Sequence, residues 1–174
     1  MVKNSDEPLT KDEIQVLNLL EQHAKESIDE IAKKCGFSRQ KAWRIVKHLE
    51  ERKIIWGYAT VTDENAKNLE HFIVLVKTKN VRFKDDIKKE MIFKRIDDPF
   101  SDLVKIENIY VTHGICDFVF TFYSINLISA KKFVDKAFQK YFEYIKEYTL
   151  IEIMYPLRKQ GLKNPQINKL VEYE

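Results

Sequence analysis

Gln40, Trp43, Arg44 and Lys47 recur at steps of three and four residues, the spacing that puts side chains on one face of a helix. Their chemistries divide the work. Arg can bond guanine bidentately and Gln can bond adenine bidentately, whereas Lys meets phosphate as a point charge. Arg44 and Gln40 are the expected base readers, and Lys33, Lys34 and Lys47 suit backbone phosphates. Arg39 falls in the first turn of the same helix, from which base edges are also reached, and Lys41 adds to the positive block. Trp43 is expected either to touch a thymine methyl or sugar, or to pack against its own domain. From Lys33 to Lys53 there are eight basic residues against Glu50 and Glu51. The whole chain carries only +3, so it is the local excess that points to a polyanion.

Nothing comparable points to catalysis. His23, His48, His71 and His113 are scattered, and each is expected to be a surface or strand-end residue. Cys35 and Cys116 lie far apart, which argues against a disulfide framework or a cysteine-spaced metal site. No Ser/His/Asp set or zinc spacing is recognisable, and four glycines form no phosphate loop. The sequence therefore predicts no catalytic residues, no metal and no cofactor. Apolar residues at 44% and charged residues at 33% describe an ordinary soluble protein. No uncharged apolar run approaches the roughly 18 residues of a membrane span, and the polar start Met1 to Pro8 is neither signal peptide nor anchor. The expectation is a cytoplasmic protein with no membrane partner.

The elements that must position the basic face are three helices between Leu9 and about Lys53, each opened by a capping residue. Thr10 with Glu13, and Ser27 with Glu30, have capping-box spacing. Ser38 caps the third helix. Ile14, Val16, Leu17 and Leu20 are the expected buried stripe of the first helix; Ile28, Ile31 and Ala32 that of the second; Ala42, Ile45, Val46 and Leu49 that of the third. Gly36 ends the second helix in the left-handed conformation that a helix C-terminus favours. A short helix, a glycine turn at Cys35-Gly36-Phe37 and a longer basic helix make a helix-turn-helix, whose second helix enters the major groove. From Ile54 to Val61 the pattern becomes β-like.

Beyond a polar stretch at 62–70 the expected order is strand His71 to Thr78, helix about Arg82 to Arg95, strand about Leu103 to Thr112, strand Ile115 to Tyr123, helix about Ile128 to Phe142 and strand about Tyr148 to Met154. This βαββαβ order predicts a ferredoxin-like four-stranded antiparallel sheet with both helices on one face. Phe118, Phe120 and Phe122 alternate with Val119, Thr121 and Tyr123, so both faces carry bulk. A second subunit is the expected cover for the face without helices, with the tail from Tyr155 as the alternative. The predicted division is a DNA-binding domain at 9–62, a linker at 63–70, a dimerisation domain at 71–154 and a tail at 155–174, in an α+β chain.

Several segments resemble the leucine-responsive/asparagine regulator (Lrp/AsnC) family. They are Leu9 to Leu20, Ser27-Ile28-Asp29-Glu30-Ile31-Ala32, Cys35-Gly36-Phe37-Ser38, Val46-Lys47-His48-Leu49-Glu50, Ile55-Trp56-Gly57-Tyr58, Thr112-His113-Gly114-Ile115-Cys116-Asp117-Phe118 and Thr149-Leu150-Ile151-Glu152-Ile153. The resemblance covers about Leu9 to Met154 and lies in order and spacing. It implies a winged-helix-type helix-turn-helix that binds double-stranded DNA, a homodimer formed through the ferredoxin-like (RAM-type) domains, and assembly of dimers into octamers. It also implies an amino-acid effector at the glycine and aspartate turn, which makes His113, Gly114 and Asp117 the candidate effector positions. From the residues alone, Gly114 and Asp117 are equally a plain β-turn. The alternatives are a DNA-binding architectural protein without effector, an interaction protein whose helix-turn-helix contacts protein, and a tetrapyrrole decarboxylase of the same architecture. The last would need arginines beside His113, and the chain has none there.

Overall fold

The computed structural model describes residues 7–79, 87, 104–139 and 141–168. The chain separates into two compact units. Of the described residues, one unit gathers Glu7 to Val61 together with Leu157 to Asn168, and the other takes those between Thr62 and Pro156. Among the described residues no helix is long and apolar enough to cross a membrane.

The first unit holds α1 (Lys11–Gln22), α2 (Ile28–Cys35) and α3 (Arg39–Glu51). Both expected capping boxes form: Thr10 and Ser27 accept the amides of Glu13 and Glu30, whose carboxylates return to the cap amides. Ser38 accepts the amide of Lys41. Each box satisfies amides that a helix start would otherwise leave unpaired. Gly36 ends α2 at φ 69°, and the amide of Phe37 closes back on the Ala32 carbonyl at 2.8 Å. Val16, Leu20, Ile31, Ala32, Cys35, Ala42, Val46 and Leu49 form the core between the helices. Burying each of the larger ones contributes about 1.5 to 3 kcal/mol.

Two expectations for this unit are corrected. Ile14 is 44% exposed, and the buried side of α1 runs through Glu13, Val16 and Leu20. The cap holds Glu13 inward, where its carboxylate lies 3.6 Å from the buried Arg52 guanidinium. Burial pushes the Glu13 carboxyl up, but the Thr10 hydrogen bonds, with Arg52 and His48 beside it, outweigh this and hold it below the ordinary value. The second correction is Ile54 to Val61, which contains no strand. The amides of Lys53 and Ile54 instead close α3 by bonding the carbonyls of Glu50 and Leu49, with Lys53 left-handed at φ 59°. Ile54 and Ile55 pack onto the helical core. Their hydrophobicity serves the end of a helix, and a strand-like composition is a false guide here.

The segment from Leu157 adds a short hairpin, β5 (Arg158–Lys159) and β6 (Leu162–Lys163). Gln160 and Gly161 at its tip have φ of 46° and 80°, as the tightest two-residue hairpin turns require.

The second unit is a four-stranded antiparallel sheet of β1 (Glu70–Thr78), β2 (Val104–Val111), β3 (Phe118–Ser124) and β4 (Ile145–Ile153), in the order β2-β3-β1-β4. The helix α4 (Leu127–Gln139) covers one face. This is the ferredoxin-like order. Of the helix expected at Arg82 to Arg95 only Ile87 is described, and it is helical; the other residues of that segment, like Leu103, lie outside the described residues. On the covered face, Phe72, Val74 and Val76 pair across the ladder with Phe122, Phe120 and Phe118 and pack against Ala130 and Val134. The other face presents Ile73, Leu75, Val119 and Ile151, all short of burial.

Three boundaries move. β3 begins at Phe118, because residues 112–117 make the turn; α4 stops at Gln139, leaving Phe142 74% exposed; and β4 starts early, at Ile145. Residues 63–70, expected as linker, are built into this unit. Asp63 caps a single 3-10 turn, Glu64–Lys67, before β1 starts at Glu70. Glu64 is buried there and takes Lys105 of β2 at 3.0 Å.

On the uncovered face, β2 carries a bulge between Ile106 and Asn108, and a bulge re-aims the residue it adds. The extra residue, Glu107, accepts Tyr123 Oη at 2.7 Å and Thr121 Oγ1 at 3.0 Å. His71 Nε2 lies 2.9 Å from the same carboxylate, and its ring stacks on Tyr123. His71 is thus at a strand start, as expected, but it is half-buried and partnered.

Candidate nucleic-acid interface

With Ala42, Val46 and Leu49 turned into the core, α3 presents Gln40, Trp43, Arg44 and Lys47 outward, all exposed. Gln40 and Arg44 sit one helical turn apart. Neither has a side-chain hydrogen bond or ion pair among the described residues, so their donors are open to a partner. Trp43 is half exposed, and Lys47 Nζ lies 5.0 Å from its ring centre and 3.8 Å from Glu51. The tryptophan lies on the outer face of α3, outside the helical core.

The other cations expected at this surface differ in how committed they are. Lys41 Nζ pairs with Asp12 of α1 at 2.6 Å and lies over the Phe37 ring, so it braces the turn. Arg39 pairs with Asp29 at 2.9 Å, both side chains largely exposed, and an exposed pair is worth only about 0 to 1 kcal/mol. A phosphate could displace it at little cost. Lys34 pairs with Glu26, while Lys33 is exposed without such a partner among the described residues. Helical period and capping give no role to Arg158 and Lys163 of the hairpin in this unit. The Gly161 turn and the acid-free basic stretch around it are the signals in the sequence that point to them.

The candidate effector residues lie in the second unit. Gly114 has φ 136°, with open space where a Cβ would stand. Asp117 Oδ2 accepts the Thr78 amide and hydroxyl, both at 2.8 Å, and Oδ1 accepts Lys77 Nζ at 3.1 Å. These bonds, those from Thr78 foremost, lower its carboxyl to about 2. Lys77 also donates to the Gly114 carbonyl at 3.1 Å. The aspartate therefore braces the turn from within, whereas His113 and Ile115 are exposed.

A three-helix unit with an open basic helix, followed by a ferredoxin-like sheet, defines a two-part α+β architecture. Residues 12–55 match the family of winged helix-turn-helix DNA-binding domains. Nearly the whole chain is similar to solved structures. LrpC of B. subtilis shares 18% identity at a TM-score of 0.66, over 87% of this chain and 99% of that one. An AsnC family transcriptional regulator from Agrobacterium tumefaciens shares 16% at 0.70, over 91% and 99%. A transcriptional regulator from Neisseria meningitidis, solved as a complex with L-Met, shares 15% at 0.70, over 92% and 99%. No curated protein matches significantly. The chain has the fold of the Lrp/AsnC transcription regulators.

Proposed function

We propose that this chain is a cytoplasmic, sequence-specific DNA-binding transcription regulator of the Lrp/AsnC type. The observation that carries the reading is the outward face of α3, where Gln40 and Arg44 hold unpaired donors on a helix fixed by two capped neighbours. Arg44 and Gln40 read bases, while Lys47, Lys33 and Lys34 meet phosphates. Arg39, Lys41 and Trp43 complete the surface. No enzymatic role belongs to this reading, since the solved neighbours are regulators.

The subunits pair through the sheet face that α4 leaves uncovered, because Ile73, Leu75, Val119 and Ile151 there need an apolar partner. A two-fold dimer carries two copies of α3, so its site is an inverted repeat with half-sites about one helical turn, or a multiple, apart. An amino-acid effector, as in the L-Met complex of the Neisseria meningitidis protein, would find His113 and the backbone around Gly114 open, with Asp117 positioning the turn.

In vitro selection from random duplexes, followed by gel shift with and without a panel of amino acids, tests the reading. It expects an inverted repeat. Enrichment of no sequence would overturn it.

A further inference from the structure

We infer that the C-terminal hairpin of β5 and β6 is a second DNA-contacting element, gripping backbone phosphate with Arg158 and Lys163. The inference rests on the DNA-binding reading of the first unit and extends it to a segment outside the helix-turn-helix.

Three observations support it. Arg158 and Lys163 are directly opposite partners in the hairpin ladder, so the two cations stand on one side of a two-stranded ribbon. Like charges placed opposite each other destabilise a strand pair, and nothing nearby in sequence relieves them. Between Glu152 and Glu172 the chain has four basic residues and no acid. An anion seated between the pair would turn this repulsion into attraction, and charge-assisted bonds to phosphate are the strong kind.

The second observation is geometric. Arg158 spends one donor, Nη1, on the Gly161 carbonyl at 2.8 Å, which fixes the guanidinium along the turn and leaves its other donors for a ligand. Both side chains of the pair are exposed. The third is placement: the hairpin clusters with the unit that contains α3. In that unit the segment after α3, Ile54 to Val61, supplies no strand, so β5 and β6 are its described strands. A two-stranded ribbon is, besides the helix, an element that DNA accommodates.

The test is fluorescence anisotropy of the full chain against two labelled duplexes, one obtained by selection and one of mixed sequence, across a salt series. Arg158→Ala with Lys163→Ala should weaken both duplexes alike. It should also reduce the slope of log affinity against log salt by about one to two per subunit, about 0.9 for each phosphate no longer neutralised. The charge-conserving pair Arg158→Lys with Lys163→Arg should restore the slope, which separates charge from hairpin folding. If the alanine pair leaves affinity and slope unchanged while Arg44→Ala weakens the selected duplex, the hairpin is not on DNA and the helix reading stands. Loss confined to the selected duplex, with an unchanged slope, also overturns the phosphate grip. If the unmodified chain binds neither duplex, the functional reading falls and this inference with it.

Discussion

Asp117 Oδ2 accepts both donors of Thr78, the amide and the hydroxyl, each at 2.8 Å, and so ties the turn between β2 and β3 to the end of β1. Asp117→Ala frees both donors of Thr78 and leaves the Lys77 ammonium with the Gly114 carbonyl. DNA binding should persist while assembly or effector response changes, since α3 lies in the other unit. Gel shift beside sedimentation velocity reads both. Global unfolding, seen as a lost thermal transition, would assign the aspartate to folding alone. Asp117→Asn, which can still accept from Thr78, should then recover the fold.

Arg44→Ala should cost about 1 to 3 kcal/mol of specific binding and relax the preference at one base position per half-site. Lys47→Ala should weaken every sequence equally and lower the salt slope by about one for each phosphate that the lysine had neutralised. If both variants give the same sequence-blind loss, α3 holds DNA without reading it.

Stability in acid should depend on Glu64. Burial raises its carboxyl, but hydrogen bonds from Lys67, Lys105 and Thr62 prevail and lower it to about 2 from an ordinary 4.5. A group lowered on folding stabilises fully above its unfolded value, and that contribution disappears as pH falls toward the folded one. Denaturant titrations should therefore show stability draining between about pH 4.5 and 2. Glu64→Gln should be less stable at neutral pH and flatter across that window. A variant as steep as the parent would mean that the buried Glu64 carboxylate, with the exposed Lys105 on it, is not what titrates.

Two helix ends in the first unit offer opposite substitutions. α2 ends on left-handed Gly36 and α3 on left-handed Lys53. Gly36→Ala has open space for its Cβ and should still cost about 1 kcal/mol, from conformation alone. Lys53→Gly should gain up to about 1 kcal/mol by the same argument. Equilibrium unfolding measures both. A stabilising Gly36→Ala would contradict the assigned turn.

Ile151→Glu puts a charge on the uncovered sheet face, where Ile151 pairs with Ile73 of β1. Sedimentation should shift from dimer to monomer at micromolar concentration with the secondary structure unchanged. A persistent dimer would move the interface elsewhere.

The capping boxes, Gly36 and the alternating phenylalanines are legible in the sequence because each rests on local rules of two to four residues. The burial of Glu13 in place of Ile14 is not, since it depends on Arg52 arriving from the far end of α3. Nor is the closing of a helix by Ile54 and Ile55, because apolar pairs look alike at a helix end and in a strand. Among the site residues, helical period places Gln40, Arg44 and Lys47 on one face. The ties of Lys41 to Asp12 and Arg39 to Asp29 cross between helices and leave no periodic trace. The hairpin escapes for lack of length: two residues per strand carry no pattern.

The bulge at Glu107 gives β2 one more residue than its ladder has rungs. Lys105 and Asn108 both face the uncovered side, opposite Tyr123 and Thr121, while Ile106 and Ile109 both face α4, opposite Phe122 and Phe120. Were Glu107 deleted, the strand would alternate without interruption and every other side chain would keep its face. The cost would fall on the carboxylate that His71, Thr121 and Tyr123 gather around. The strand thus holds a separable letter, one that single-residue insertion can introduce and deletion can remove while the rest of the sheet keeps its register.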